Sequence, residues 1–382
     1  MAANPRFVVM LTFMLAVFAG LNVYIGWNIT LWLDAADIPY EAAAFWPVLL
    51  FLAFGYVIGR IPLPGALRPA ARLIKIIGSY YIYLFEIGLL LTVIADIGGL
   101  AVRIAGGDTD AYAQWAGYAV VAIAVASLVI GTRNAFSPVV RDYELTIDKE
   151  GGVAREWTIA VASDIHLGNV IGNRHLRKLV ARVDAMKPDL ILLPGDVIDD
   201  SIEPFLRNGM SKTLGRLRAK HGVYAVLGNH EYYGGHIPEY IEEMRKVGIR
   251  VLQDETAEVA DCLYVVGRKD KTAEAPQFGG RRSVAELTEG LEKTKPIVLL
   301  DHQPTMFQQA ADAGVDLMLS GHTHRGQFAP NHWVTKRVFE LDWGYMRKQA
   351  MHVVVSSGFG LWGPPIRIGS RSEIIRVTLK FR

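Results

Sequence analysis

Cysteine is almost missing from this sequence: its 382 residues contain one, Cys262. A single thiol excludes an internal disulfide framework and suits a reducing compartment. No His or Cys lies beside it to form a redox or metal pair, so Cys262 reads as a small buried side chain opening the apolar strand at 262–266. An excess of one charge is lacking too, since 40 Lys and Arg against 38 Asp and Glu leave a formal charge of +2. That near balance gives no support for the basic stripe a phosphate backbone demands, and no nucleic-acid partner is expected. Internal repeats, low-complexity tracts and any sign of an obligate protein partner are likewise missing.

Apolar residues, by contrast, make up 51% of the chain, more than a purely soluble protein carries. The excess is localised in residues 1–132, which hold four apolar stretches, 7–33, 43–58, 76–97 and 111–130. A helix needs about 20 apolar residues to cross the hydrocarbon core, because lipid cannot pair with exposed backbone groups. The pattern predicts a membrane domain of four transmembrane helices over 1–132. The second stretch is the shortest and contains Pro47. The first is longer than the core of a signal peptide and three more follow, so it is expected to be retained.

Loop charges set orientation, because Lys and Arg resist translocation. Arg6, then Arg60, Arg68, Arg72 and Lys75, then Arg133 and Arg141 lie on one side; Asp34, Asp37, Glu41, Arg103, Asp108 and Asp110 lie on the other. This bias predicts a multi-pass protein of the cell (inner) membrane with its large C-terminal part in the cytoplasm. Glu86, inside the third stretch near Tyr80, Tyr81 and Tyr83, reads as a polar group satisfied between helices.

A second domain is expected over 139–382. Residues 139–147 alternate as an edge strand, and compact apolar strands follow at 158–162, 190–193, 223–227, 249–252, 263–266, 297–300 and 316–319. Between them, Leu176, Leu179, Val180 and Val183 recur at helical spacing until Pro188, and further helices fit 205–217 and 237–247, the last stopped by Gly248. The polar, Gly-rich stretch 269–282 reads as a mobile surface loop. Alternating strands and helices give an α/β fold with mixed sheets covered by helices, in which ligands collect beyond the carboxyl ends of strands.

Five motifs occupy that kind of position: Asp164-Ile165-His166, Gly195-Asp196-Val197-Ile198-Asp199, Gly228-Asn229-His230-Glu231, Asp301-His302 and Gly321-His322-Thr323-His324. Asp and His donors suit Mn, Fe, Zn or Co, and no motif contains the thiols of a structural zinc site. Two such ions about 3.5 to 4 Å apart need a shared carboxylate, and Asp196, on a glycine-preceded turn, is the candidate bridge. His322 and His324, alternate residues of an extended loop, can each face one ion. The remaining histidines, His175, His221, His236, His332 and His352, lack such partners and read as core or surface residues, with His236 and His332 nearest the cleft rim.

In this order the five motifs closely resemble the calcineurin-like metallophosphoesterase superfamily over about residues 139–382. The resemblance implies a four-layer αββα sandwich and two divalent metal ions, manganese favoured. It places Asp164, His166, Asp196 and His324 around one ion and Asp196, Asn229, His302 and His322 around the other. It makes His230 the catalytic acid beside the leaving group, with Asp199 behind the ligands and Glu231 as an orienting neighbour. The preceding spans, the Gly321 to Gln327 segment, the late Ser357-Gly358-Phe359-Gly360 and Pro365-Ile366-Arg367 are similar to the YkuE/YaeI-type membrane phosphohydrolases. Arg325 replaces a glycine of that pattern, which puts a cation either near substrate phosphate or in solvent. Some such relatives cleave the pyrophosphate of UDP-2,3-diacylglucosamine, a lipid A precursor. The expected function is therefore a membrane-anchored phosphohydrolase acting on a phosphorylated lipid or nucleotide-lipid. The alternatives are a general phosphodiesterase or protein phosphatase, and a non-catalytic membrane sensor of a phosphorylated ligand.

Overall fold

The computed structural model describes residues 5–61, 64–149 and 155–382. It divides into two units, the first containing Met1–Ile130 with Gly363–Pro365 and the second Gly131–Trp362 with Ile366–Arg382.

The first unit is built from α1 (Pro5–Ala35), α2 (Ala42–Ile58), α3 (Arg68–Ile104) and α4 (Thr109–Phe136), whose last residues belong to the second unit. All four predicted stretches fall in these helices. Of them α1, α3 and α4 are long and apolar enough to cross a membrane, whereas α2, with 17 residues, is a shorter apolar helix. Polar groups of these helices pair with one another: Tyr81 donates to the buried Asn22, and Tyr24 to the exposed Asp96.

In the second unit the strands are β1 (Val139–Ile147), β2 (Glu156–Val161), β3 (Leu190–Pro194), β4 (Val223–Val226), β5 (Ile249–Val251) and β6 (Glu255–Val259). The chain continues with β7 (Leu263–Gly267), β8 (Ile297–Leu300), β9 (Leu317–Ser320), β10 (Gly344–Lys348), β11 (Met351–Val355) and β12 (Glu373–Phe381). They form two six-stranded mixed sheets, ordered β1-β12-β2-β3-β4-β5 and β10-β11-β9-β8-β7-β6. The helices are α5 (Asn173–Met186), α6 (Ile202–Arg207), α7 (Met210–Leu214), α8 (Asn229–Gly234), α9 (Ile237–Lys246), α10 (Val284–Thr288), α11 (Phe307–Asp312) and α12 (His332–Val338).

Strand periodicity explains the layering. Ile159, Val161, Leu190 and Leu192 meet Val265, Val298, Leu300, Leu317 and Leu319 between the sheets. The alternate residues Ala160, Ile191 and Leu193 face outward onto Leu176, Leu179, Val180 and Val183 of α5 and Tyr240 and Met244 of α9. On the far side Ile297, Leu299 and Met318 pack against Val284 and Leu287 of α10 and Phe307 and Ala310 of α11. Because both faces of the central strands are covered, they read as continuous apolar runs. The result is the four-layer αββα sandwich, each fully buried Leu or Ile contributing roughly 1.5–3 kcal/mol.

Three expectations change. The helix over 205–217 is two short ones, broken where Gly209 takes φ +56°. Cys262 lies half-buried in the turn before β7, its thiol bonded to the Ala260 carbonyl, rather than within the strand. The stretch 269–282 is not a loose surface loop: it forms two 3₁₀ turns with Asp270 and Ala273 buried. The cause is ionic, because Arg268 and Arg281 flank the buried Asp301 carboxylate at 3.1 and 3.4 Å and a buried charge must be paired.

His175 is core, its ring stacked on Phe359 at 4.4 Å. Burial, aided by the charges of Lys178 and Arg367, depresses it to about 4 despite its contact with the Phe359 carbonyl. An unfolded histidine titrates near 6.5, so the unfolded state takes up the proton first. This contribution to stability is complete above pH ~6.5 and is lost as pH falls from there through about 4. It amounts to on the order of 2–3 kcal/mol. Chemical denaturation of wild type and His175→Leu from pH 7 to 4 should show the wild type losing stability more steeply; parallel curves would refute this.

Candidate metal centre

Every motif side chain leaves the carboxyl end of a parallel strand: Asp164 and His166 after β2, Asp196 after β3, Asn229 and His230 after β4, His302 after β8, and His322 and His324 after β9. Asp164, His166, Asp196, His322 and His324 all adopt φ between 48° and 72°. Such backbone costs of order 1 kcal/mol or more per non-glycine residue and concentrates where geometry matters more than stability. The turns are held by cross-loop bonds, His166 N–H to the Asp196 carbonyl at 3.0 Å and Asp164 N–H to the Gly195 carbonyl at 3.1 Å.

These side chains converge in two sets that meet at Asp196, and a third set, His166, Asp199 and His230, adjoins the first. Asp164, His166 and His324 present ligand atoms within 4.8 Å of one another, and so do Asp196, His302 and His322. Asn229 Oδ1 joins the second set, 2.8 Å from His322 Nδ1 and 3.2 Å from His302 Nε2. Asp196 lies between the sets: its Oδ2 is 3.1 Å from His302 Nε2 and 3.9 Å from His166 Nε2. Its Oδ1 is occupied by the His230 backbone N–H at 2.9 Å, and Asp164 Oδ1 by the His322 N–H at 2.8 Å. The approach is so close that a Cβ on Gly228 would sit 2.2 Å from Asp196 Oδ1, and one on Gly321 2.1 Å from Asp164 Oδ2. Only glycine fits at either position.

The donor set fits divalent cations. Asp164 Oδ2 is buried without a hydrogen-bond partner among the described residues, an orphan acceptor that a cation would satisfy. Burial drives His166 down to about 3 and His322 to about 4, and His324 well below its ordinary value. These imidazoles are thus neutral at pH 7, with lone pairs available. His302 behaves oppositely: burial disfavours its charge, but the Asp196 carboxylate holds it protonated, and it must shed that proton to act as a ligand. The Pro194 carbonyl at 2.8 Å from His302 Nδ1 fixes the ring so that Nε2 faces the site.

His230 adjoins the first set, its ring 4.6 Å from that of His166, but it is paired with carboxylates. Its Nδ1 is 2.7 Å from Asp200 Oδ1 and 3.8 Å from Asp199 Oδ1. Burial opposes its charge, yet the Asp200 hydrogen bond and the Asp196, Asp200 and Asp199 carboxylates outweigh it, so His230 is pushed up to about 9. Asp200, not Asp199, is its direct partner, a residue the motif spacing does not single out.

Glu231 clips two of the loops together, accepting from the backbone N–H of Gly228 at 2.7 Å, Ile198 at 2.9 Å and Asp196 at 3.1 Å. The late motifs form the floor beneath His324. There the fully buried Arg367 donates to the carbonyls of Ser357, Gly358 and Gly360 at 2.7, 3.1 and 2.9 Å. Arg325, half-buried, stacks 4.0 Å over the Trp343 ring and donates to the Gly369 carbonyl at 2.8 Å, an exposed contact. His236, an exposed residue, and His332, at the start of α12, take no part in either set.

The calcineurin-like phosphoesterase family model matches residues 158–326. A metallophosphoesterase of Aquifex aeolicus is 32% identical over 227 residues, covering 59% of this chain and 85% of that one. A transmembrane protein with metallophosphoesterase domain from Danio rerio is 32% identical over 263 residues, or 66% of this chain; the match spans only 60% of the relative's own length. The metallophosphoesterase YkuE of Bacillus subtilis is 27% identical over 234 residues, 59% of this chain and 79% of that one.

Proposed function

Because the chain belongs to the calcineurin-like metallophosphoesterase family, we propose that it is a membrane-anchored, dinuclear-metal phosphohydrolase. It cleaves a phosphoester or pyrophosphate bond, and its substrates are lipid-linked or nucleotide-lipid phosphates such as UDP-2,3-diacylglucosamine. The observation that carries this reading is the Asp196 carboxylate, whose Oδ2 lies between two sets of Asp and His donors, 3.1 Å from His302 Nε2 and 3.9 Å from His166 Nε2.

Two divalent cations held there would lower the pKa of a water to supply the nucleophile and would offset charge on the phosphoryl oxygens. The chain's residues do the rest. Asp164, His166 and His324 would hold one ion and Asn229, His302 and His322 the other, with Asp196 serving both. His230 Nδ1 faces a carboxylate and so carries a proton, which leaves Nε2–H to protonate the departing oxygen. The three long apolar helices support anchoring, and the Lys and Arg bias of their loops supports a cytoplasmic domain at an inner membrane. An amphiphilic substrate suits an enzyme tethered in that way, and manganese suits oxygen and imidazole donors.

Full-length protein in detergent should hydrolyse a generic phosphodiester with Mn²⁺, lose turnover on chelation and regain it on adding Mn²⁺. Among substrates, kcat/KM should be higher for nucleotide-lipid than for phosphoprotein or a water-soluble diester. Folded, metal-loaded protein that turns over no phosphoester would refute the enzyme reading; a preference for phosphoprotein would refute the substrate class.

A further inference from the structure

Helix α12 exposes an unusual amount of apolar surface. Trp333, Val334 and Val338 are 67%, 61% and 67% exposed, three large apolar side chains on a seven-residue helix. The helix is nonetheless fixed. Thr335 turns inward, its Oγ1 donating to Asp342 Oδ2 at 2.6 Å, and Thr323 donates to the Asp342 carbonyl at 2.5 Å. Gly326 lies so close to the start of the helix that a Cβ there would sit 2.6 Å from His332 N. Just past the other end, Phe339 meets the His322 ring edge-on, with centroids 6.0 Å apart. The apolar face is thus mounted on the loop that carries His322 and His324.

A second exposed aromatic, Trp362 at 55%, is tied to the same loop. Gln327 Nε2 donates to the Trp362 carbonyl at 2.9 Å and Trp362 N–H to Gln327 Oε1 at 3.0 Å. Lys336 and Arg337 are exposed on α12, and neither meets an acidic partner among the described residues.

We propose that α12 and Trp362 dock on an anionic lipid surface, with Trp333, Val334 and Val338 entering the headgroup region and Lys336 and Arg337 meeting lipid phosphates. Tryptophan favours the membrane–water boundary, and cations beside an apolar face favour anionic lipid over a neutral protein partner. The same chain carries helices long and apolar enough to cross a membrane, so a bilayer is an occupant the protein itself supplies. Docking here would bring the bilayer surface to the loop bearing the metal ligands. It does not require the substrate to be a lipid, so it goes beyond the catalytic reading.

The test uses the full chain in nanodiscs of phosphatidylcholine with phosphatidylserine, in a Cys262→Ser background. An environment-sensitive fluorophore is placed by Trp333→Cys or Val338→Cys, with exposed Glu289→Cys as control, and the discs carry a spin-labelled lipid quencher. Labels at 333 and 338 should be quenched several-fold more than at 289, with the excess reduced in pure phosphatidylcholine and by Lys336→Glu with Arg337→Glu. Quenching equal to the control at both positions would overturn the proposal, as would an excess indifferent to anionic lipid and to charge reversal. Crosslinking between copies through position 333 with no lipid quenching would assign the face to a second copy and overturn it too. The readout involves no turnover, so failure here is distinguishable from failure of the enzyme assignment.

Discussion

Asp196→Asn should lower phosphoester hydrolysis by about three orders of magnitude or more and reduce bound metal from two ions per chain to one or fewer. The substitution is isosteric, so an amide oxygen can still accept the His230 N–H that Asp196 Oδ1 now holds at 2.9 Å. What disappears is the negative charge and the second oxygen, which lies 3.1 Å from His302 Nε2 and 3.9 Å from His166 Nε2. An amide nitrogen there offers no lone pair, so the two donor sets lose their common ligand. His302 loses the carboxylate that favours its protonation and sits buried beside an amide instead. Asp164→Asn is the informative comparison, since Asp164 belongs to one set alone and its loss should weaken one position selectively. Elemental analysis and activity on the same samples decide the matter. Full activity with two ions bound to Asp196→Asn would remove the bridge from the scheme.

The candidate ligands stood out in the sequence because each closely follows an apolar run, and the runs became parallel strands ending on one side of their sheets. That rule and the chemistry of Asp and His singled out the five motifs, whereas the sharing of their residues between two ions, Asn229 included, came from the family resemblance. What lay beyond local pattern is long-range or depends on turn geometry. Asp199 and Asp200 are adjacent, and the motif includes only the first. The second wins because its backbone, at φ 37°, packs its carbonyl against Gly234, where a Cβ would lie 1.8 Å away. Arg268 and Arg281 looked like loop charges until the fold set Asp301 between them. β12 inserts between β1 and β2, parallel to one and antiparallel to the other, a pairing that joins residues more than two hundred positions apart. The α12 face is a tertiary feature as well, since nothing in seven residues says which side the rest of the domain leaves uncovered.

His230→Gln should reduce kcat by roughly 10²–10⁴-fold while leaving metal content unchanged, because His230 Nδ1 is taken by Asp200; loss of bound metal would instead assign His230 to the set it forms with His166 and Asp199. A general acid works only while protonated. With His230 raised to about 9, activity should persist through neutral pH and decline as pH rises toward and past that value; bound cations, which repel an imidazolium, shift the decline to lower pH. Gln has no such titration, so this alkaline limb should vanish from the variant's profile. Asp200→Asn should leave the acid in place but remove the carboxylate that raises its pKa, so its limb should move to lower pH with a smaller loss at the plateau. Leaving groups provide a readout that a purely structural role would not move. A p-nitrophenolate departs without being protonated, whereas an alkoxide does not, so the His230→Gln defect should be about tenfold or less on the aryl ester and approach its full size on the alkyl ester. An equal loss on both esters, with the alkaline limb intact, would mean that His230 positions substrate and that the proton comes from elsewhere.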